Sequence, residues 1–123
     1  MSDTPIHVMK LWSAEAITKN TSATSAAIDL DKFRVNGLFS LQVELTGDGT
    51  GKFEYLLSNN EADFLEPSSA VDIAAGFLKT SGPGGDGKDI FSFHPEYTRF
   101  MKIKATETGN ANDIAVSAWL ALG

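Results

Sequence analysis

Residues 38–58 hold two stretches in which every second side chain is apolar, joined by a run of glycines, and no other part of the chain limits the fold so tightly. In the first, Phe39, Leu41, Val43 and Leu45 alternate with Ser40, Gln42, Glu44 and Thr46, the period of a strand with one face buried and the other in water. In the second, Phe53, Tyr55 and Leu57 alternate with Lys52, Glu54, Leu56 and Ser58. Between them Gly47-Asp48-Gly49-Thr50-Gly51 places three glycines in five residues, where a tight reversal needs positive φ. The predicted unit is a β-hairpin.

The same period recurs along the chain. Residues 6–12 form a first strand with Ile6, Val8 and Trp12 on one side, and residues 13–27, rich in Ala, Ser and Thr, read as loop entering a short strand near 26–30. The Asn36-Gly37 pair marks a turn. Residues 59–69 make a long connection that is expected to cross between sheets, tethered by Phe64-Leu65, and Val71, Ile73, Ala75 and Phe77 share one parity, with a helical turn as the rival reading. Residues 80–88, with Gly82-Pro83-Gly84-Gly85-Asp86-Gly87, read as a flexible loop. Phe91 and Phe93 alternate with Ile90, Ser92 and His94 up to Pro95, which ends that strand. Tyr97, Arg99, Met101, Ile103 and Ala105 then oppose Phe100, Lys102 and Lys104. Beyond a polar turn at 107–113, Ile114, Val116, Ala118, Leu120 and Leu122 line a last strand, with Trp119 among small residues on its other face.

About eight short strands separated by turns, with no amphipathic helix, predict an all-β fold: an antiparallel β-sandwich, jelly-roll-like. A length of 123 residues allows one domain, 1–123, with residues 1–5 as an N-terminal arm. The opening Met-Ser-Asp-Thr-Pro has neither the basic segment nor the apolar run of a signal peptide, and no apolar stretch approaches membrane-spanning length.

Composition narrows the chemistry. The chain has no cysteine, which removes thiol nucleophiles, thiolate-held zinc and disulfides. Sixteen acids against ten Lys and Arg give a net charge of −6, which argues against a nucleic-acid partner. His7 and His94 are the two histidines, each in a predicted strand without a triad context, so no catalytic residue is assigned. Asp48, Asp86, Asp89 and Asp113 offer hard oxygen ligands near glycines or asparagines, but none follows a calcium-loop ladder. The glycine loop leads into a strand rather than a helix and lacks the Lys-Ser/Thr of a phosphate cradle. No metal or cofactor is expected. What remains is surface. Lys102 and Lys104 share a face with Phe100 and suggest docking onto an acidic protein surface, against the plainer reading of a solvated, aggregation-resistant strand face. Trp119 suggests core packing or a subunit interface, with a ligand platform as the alternative.

Several segments together resemble small accessory virion proteins of tailed bacteriophages: Gly37-Leu38-Phe39-Ser40-Leu41-Gln42, the 47–51 turn with Lys52-Phe53-Glu54-Tyr55 and Ser58-Asn59, Phe93-His94-Pro95, Arg99-Phe100-Met101-Lys102-Ile103, and Val116-Ser117-Ala118-Trp119-Leu120. The resemblance covers most of residues 37–120. It implies a capsid decoration or cement protein of the virion, self-associating and clamping major capsid subunits or another virion protein. It brings no catalytic residue. The alternatives are a carbohydrate-binding module built on Trp119 and a tail-tip or neck adhesion protein.

Overall fold

The computed structural model describes residues 6–33 and 37–123, so the arm expected at 1–5 and Asn36 of the Asn36-Gly37 turn lie outside the described residues. Nine strands form two antiparallel sheets among those residues. The first sheet runs β1 (His7–Ile17), β9 (Ile114–Leu122), β4 (Phe39–Thr46), β7 (Lys88–Phe93). The second runs β2 (Ser22–Thr24), β8 (Phe100–Glu107), β5 (Gly51–Ser58), β6 (Ala74–Phe77), with β3 (Ile28–Asp29) on β8 beside β2. The all-β sandwich is therefore the fold of this chain. β2 and β3 act as one interrupted edge strand. At the interruption Ser25 donates its N–H to the Ile103 carbonyl (2.8 Å), while its hydroxyl accepts the Ile103 N–H at 2.9 Å. A side-chain oxygen thus stands where the ladder lacks a carbonyl.

The expected hairpin of residues 38–58 is corrected. Both strands form with the faces the alternation indicates, yet β4 pairs with β7 and β9, whereas β5 pairs with β6 and β8. The glycine linker is an arch that carries the chain from one sheet to the other. Two strands whose apolar faces meet across a sandwich show the same alternation as two strands that pair, so periodicity fixes the buried face and leaves the hydrogen-bonding neighbour open.

Four further expectations change. The 59–69 connection does not cross between sheets: it leads from β5 to β6 in the same sheet, held to the β5 edge by the Leu57–Leu65 backbone bonds. β1 extends to Ile17, and register shifts between Lys10 and Trp12 and between Trp12 and Glu15 reset its parity. Trp12 consequently faces the core opposite Ala118, while Ile6 and Val8 are exposed. The glycine loop is closed by its own hydrogen bonds, Gly85 N–H to the Gly82 carbonyl and Gly87 N–H to the Ser81 carbonyl, and the Gly87 carbonyl accepts the Leu45 N–H. Gly87 has φ of +77° and its backbone packs against Leu45 and Lys79 with no room for a Cβ. Tyr97 and Arg99, expected on the inward parity, precede β8, which starts at Phe100.

The core lies between the sheets. Leu41, Val43, Val116, Ala118, Leu120 and Leu122 face Phe53, Met101, Ile103 and Ala105, all of them buried. Phe93 joins the layers, its ring 5.6 Å from Phe39 in its own sheet and 5.8 Å from Tyr55 in the other. Truncating Leu120 to Ala is expected to cost about 2–5 kcal/mol of stability, measured as a lower urea midpoint at unchanged slope. A loss below about 0.5 kcal/mol, the range of surface substitutions, would place Leu120 outside the core.

Candidate functional site

The residues singled out from sequence fall on the two outer faces of the sandwich. On the second sheet, Phe100, Lys102 and Lys104 point outward from β8 opposite Ser58, Leu56 and Glu54 of β5. That face is covered. The 59–73 connection runs along the free edge of β5, held by reciprocal Leu57–Leu65 backbone hydrogen bonds of 2.8 and 2.9 Å and by Ile73 N–H to the Phe53 carbonyl. Its Phe64 ring lies 4.2 Å from the Lys102 ammonium, a cation–π contact. Lys104 stands between Glu54 and Thr24, and both lysines are half-buried. Phe100 is only 7% exposed, with the Arg99 guanidinium 5.1 Å from its ring. The structure thus brings the trio onto one face but commits Lys102 and Phe100 to contacts within the chain.

Trp119 occupies the outer face of the first sheet. Its cross-strand neighbours are Lys10 on β1 and Gln42 on β4, and along β9 it is flanked by Ser117 and Ala121. The Lys10 ammonium lies 5.1 Å from the indole centroid. Its two neighbours on its own strand are small, and the larger side chains beside the ring, Lys10 and Gln42, come from the flanking strands.

The sheets also assemble a group of acids that the sequence did not single out. Oxygens of Glu54, Glu66 and Asp72 lie within 4.8 Å of one another, with Lys52 3.5 Å from Glu54. Burial, and then the neighbouring Glu66, push the Glu54 carboxyl above its ordinary range, while Lys52 and Lys104 pull the other way. Three of the four acids considered for calcium are engaged elsewhere: Asp48 pairs with Lys79, Asp89 accepts the Ile90 N–H, and Asp113 accepts the Lys19 N–H at 2.8 Å, while Asp86 lies exposed in the glycine loop. His7 packs on Phe33 with centroids 5.0 Å apart, and His94 Nδ1 lies 3.4 Å from the Gly37 carbonyl. Among the described residues neither histidine is hydrogen-bonded to a hydroxyl or a carboxylate.

Two residues dominate the ends of the sandwich: Glu107, which the sequence reading places in a polar turn, and Tyr97, which it places on the inward parity. Glu107 is 0% exposed, continuing the inward parity of Met101, Ile103 and Ala105. Its Oε1 accepts the N–H groups of Asn20 (3.0 Å) and Asn110 (2.9 Å), and its Oε2 those of Thr50 (2.8 Å) and Gly109 (2.6 Å). Burial raises its pKa, but the four N–H donors outweigh burial and bring it down from the ordinary 4.5 to about 2. An acid on the core parity of an alternating strand was the available signal. At the other end Tyr97 is 102% exposed, because Pro95 breaks the alternation and the strand resumes only at Phe100.

No protein-family model matches the chain, and no curated protein is significantly similar to it.

Replacing Glu107 with Ala leaves four backbone donors without an acceptor and is expected to cost roughly 3 kcal/mol or more. A folded pKa below the ordinary value means that the carboxylate's contribution is complete above pH 4.5 and is lost as pH falls towards 2. Urea melts of the wild-type chain and of Glu107→Gln across that window should show the steeper loss in the wild type. Parallel pH dependences would remove the carboxylate from this role.

Proposed function

We propose that this chain is a non-enzymatic structural protein of a tailed-phage virion, of the capsid decoration or cement type, which associates with itself and with major capsid subunits. The observation that carries the reading is a sandwich whose buried Glu107 carboxylate, Lys10, Lys102 and histidines are held in contacts within the chain, while large apolar side chains stand exposed at Leu65, Val71, Ile90 and Tyr97. Such a molecule is equipped to present surface. Repeated on a symmetric shell, individually weak contacts gain strength through multivalency.

The strand order supports the finer jelly-roll reading as well. With β2 and β3 taken as one interrupted strand, two four-stranded antiparallel sheets remain, and every connection except β2–β3 and β5–β6 crosses between them. The Lys102 and Lys104 face, proposed for docking to an acidic partner, would have to act through the half-buried lysines that the 59–73 connection leaves in view.

Mass spectrometry of density-purified particles from the phage or induced lysogen that encodes the chain tests the assignment. Copies on the scale of the major capsid protein are expected. A handful would move the protein to the neck or tail, and absence from particles would overturn the virion reading.

A carbohydrate-binding module is the second reading, favoured by Trp119 on its outer face beside Gln42. On that reading glycan-array binding is lost in Trp119→Ala with an unchanged circular dichroism spectrum; glycan binding that survives the substitution would discard the platform.

A further inference from the structure

The 59–67 segment and the loop between β7 and β8 enclose an open groove of about 520 Å³, lined among others by Leu57, Leu65, Pro67, Asp63, Glu96 and Thr98. Its apolar part is presented outward, since Leu65 is 66% exposed. Tyr97 lies between the lining residues Glu96 and Thr98 and is fully exposed. A solvated tyrosine on a loose loop would carry little meaning, but this loop is pinned at both ends. The buried Tyr55 hydroxyl donates to Glu96 at 2.9 Å, and burial together with Glu96 pushes that hydroxyl up to about 12, so it stays protonated. On the other side Arg99 N–H donates to Asn59 Oδ1 (3.0 Å), its carbonyl accepts the Leu30 N–H (2.8 Å), and its guanidinium grips both oxygens of Asp29 at 3.3 Å.

The opposite wall is equally fixed. Asn60 Oδ1 accepts from the Ser58 hydroxyl and from the N–H groups of Ala62 and Asp63, and its amide donates to Asp63 Oδ2. Both walls are therefore ordered before any partner arrives, which lowers the entropy cost of binding.

Charge selects the partner. The charged residues lining the groove are Asp63 and Glu96, with neither lysine nor arginine among the lining residues, and the neighbouring guanidinium, Arg99, is committed to Asp29. We propose that this groove, beside Tyr97 in the chain, is a docking site for a cationic segment of a protein partner that inserts an apolar side chain against Leu65 and Pro67. An exposed tyrosine next in the chain to a groove with apolar and acidic lining supplies a residue type enriched at interface hot spots, and the acidic lining speeds and orients the approach of a basic segment. The inference goes beyond the virion reading, since the chemistry holds whichever protein carries the segment.

The test titrates the ¹⁵N-labelled full chain with a capped peptide of alternating Arg and Leu, and in parallel with its Glu and Leu counterpart. The cationic peptide is expected to shift the amides of Asn59, Asp63, Leu65, Tyr97 and Thr98, with affinity falling at least about tenfold in Tyr97→Ala and in Asp63→Lys. Shifts elsewhere, an equal response to the acidic peptide, or unchanged affinity in both variants would overturn the proposal. Tyr97 is wholly solvent-exposed, so its truncation should leave the fold intact, as the remaining amide spectrum will report. Cosedimentation with purified particles separates the two readings. Wild-type binding that both variants retain removes the groove and keeps the virion role; a groove response to peptide without particle binding keeps the groove and removes the virion role.

Discussion

A single buried carboxylate fixes how the two sheets are joined. Four connections cross between the layers at one end of the sandwich, β1 to β2, β4 to β5, β6 to β7 and β8 to β9, and Glu107 accepts backbone N–H groups from three of them at Asn20, Thr50, and Gly109 with Asn110. Further bonds run in the same sense: Thr108 N–H to the Thr50 carbonyl, and Glu107 N–H to the Thr21 carbonyl. The arches crowd so closely that a Cβ on Gly47 would sit 2.6 Å from the Asp113 carbonyl oxygen. A charged group away from water is costly unless it is fully hydrogen-bonded. Here the donors are loop amides that would otherwise be left unpaired where the arches meet, so one interaction resolves both problems.

With that end closed, what the molecule can offer to others lies on its faces and at its far end. The outer face of the β2–β8–β5–β6 sheet is overlaid by the 59–73 connection, which draws Lys102 onto Phe64. The outer face of the β1–β9–β4–β7 sheet bears Trp119. The far end displays Tyr97 on a loop tied to β3 through the Arg99 and Asp29 pair and to the core through Tyr55. Positioned rigidity combined with exposed aromatic surface suits a protein that binds others and gains from being displayed in many copies.

The faces of the long strands were legible because they obey a strict alternation with strong contrast: Phe39 to Leu45, Met101 to Ala105 and Ile114 to Leu122 all turn inward as their parity requires. Neighbour choice was not legible, because β4 and β5 carry the same pattern whether they pair or face each other across the core. β1 was misread where extra residues reset its parity, a feature that leaves no mark in hydropathy. Lys102, Lys104 and Trp119 landed on the outer faces that their parity indicated, but the contacts that occupy them come from Phe64 and Lys10, on other parts of the chain. Glu107 shows the converse: an acid on a core parity reads as a flaw in the pattern until the loop amides that need it are in place.

If the carboxylate holds the arches as described, Asn20, Thr50, Gly109 and Asn110 should not behave as loop amides. Native-state hydrogen exchange of the intact chain, followed residue by residue by NMR, reads this directly. The account requires these four amides to exchange as slowly as those of the central strands β8 and β9, and to become fast together in Glu107→Gln. Exchange in the wild-type chain at the rate of an unprotected loop would contradict it.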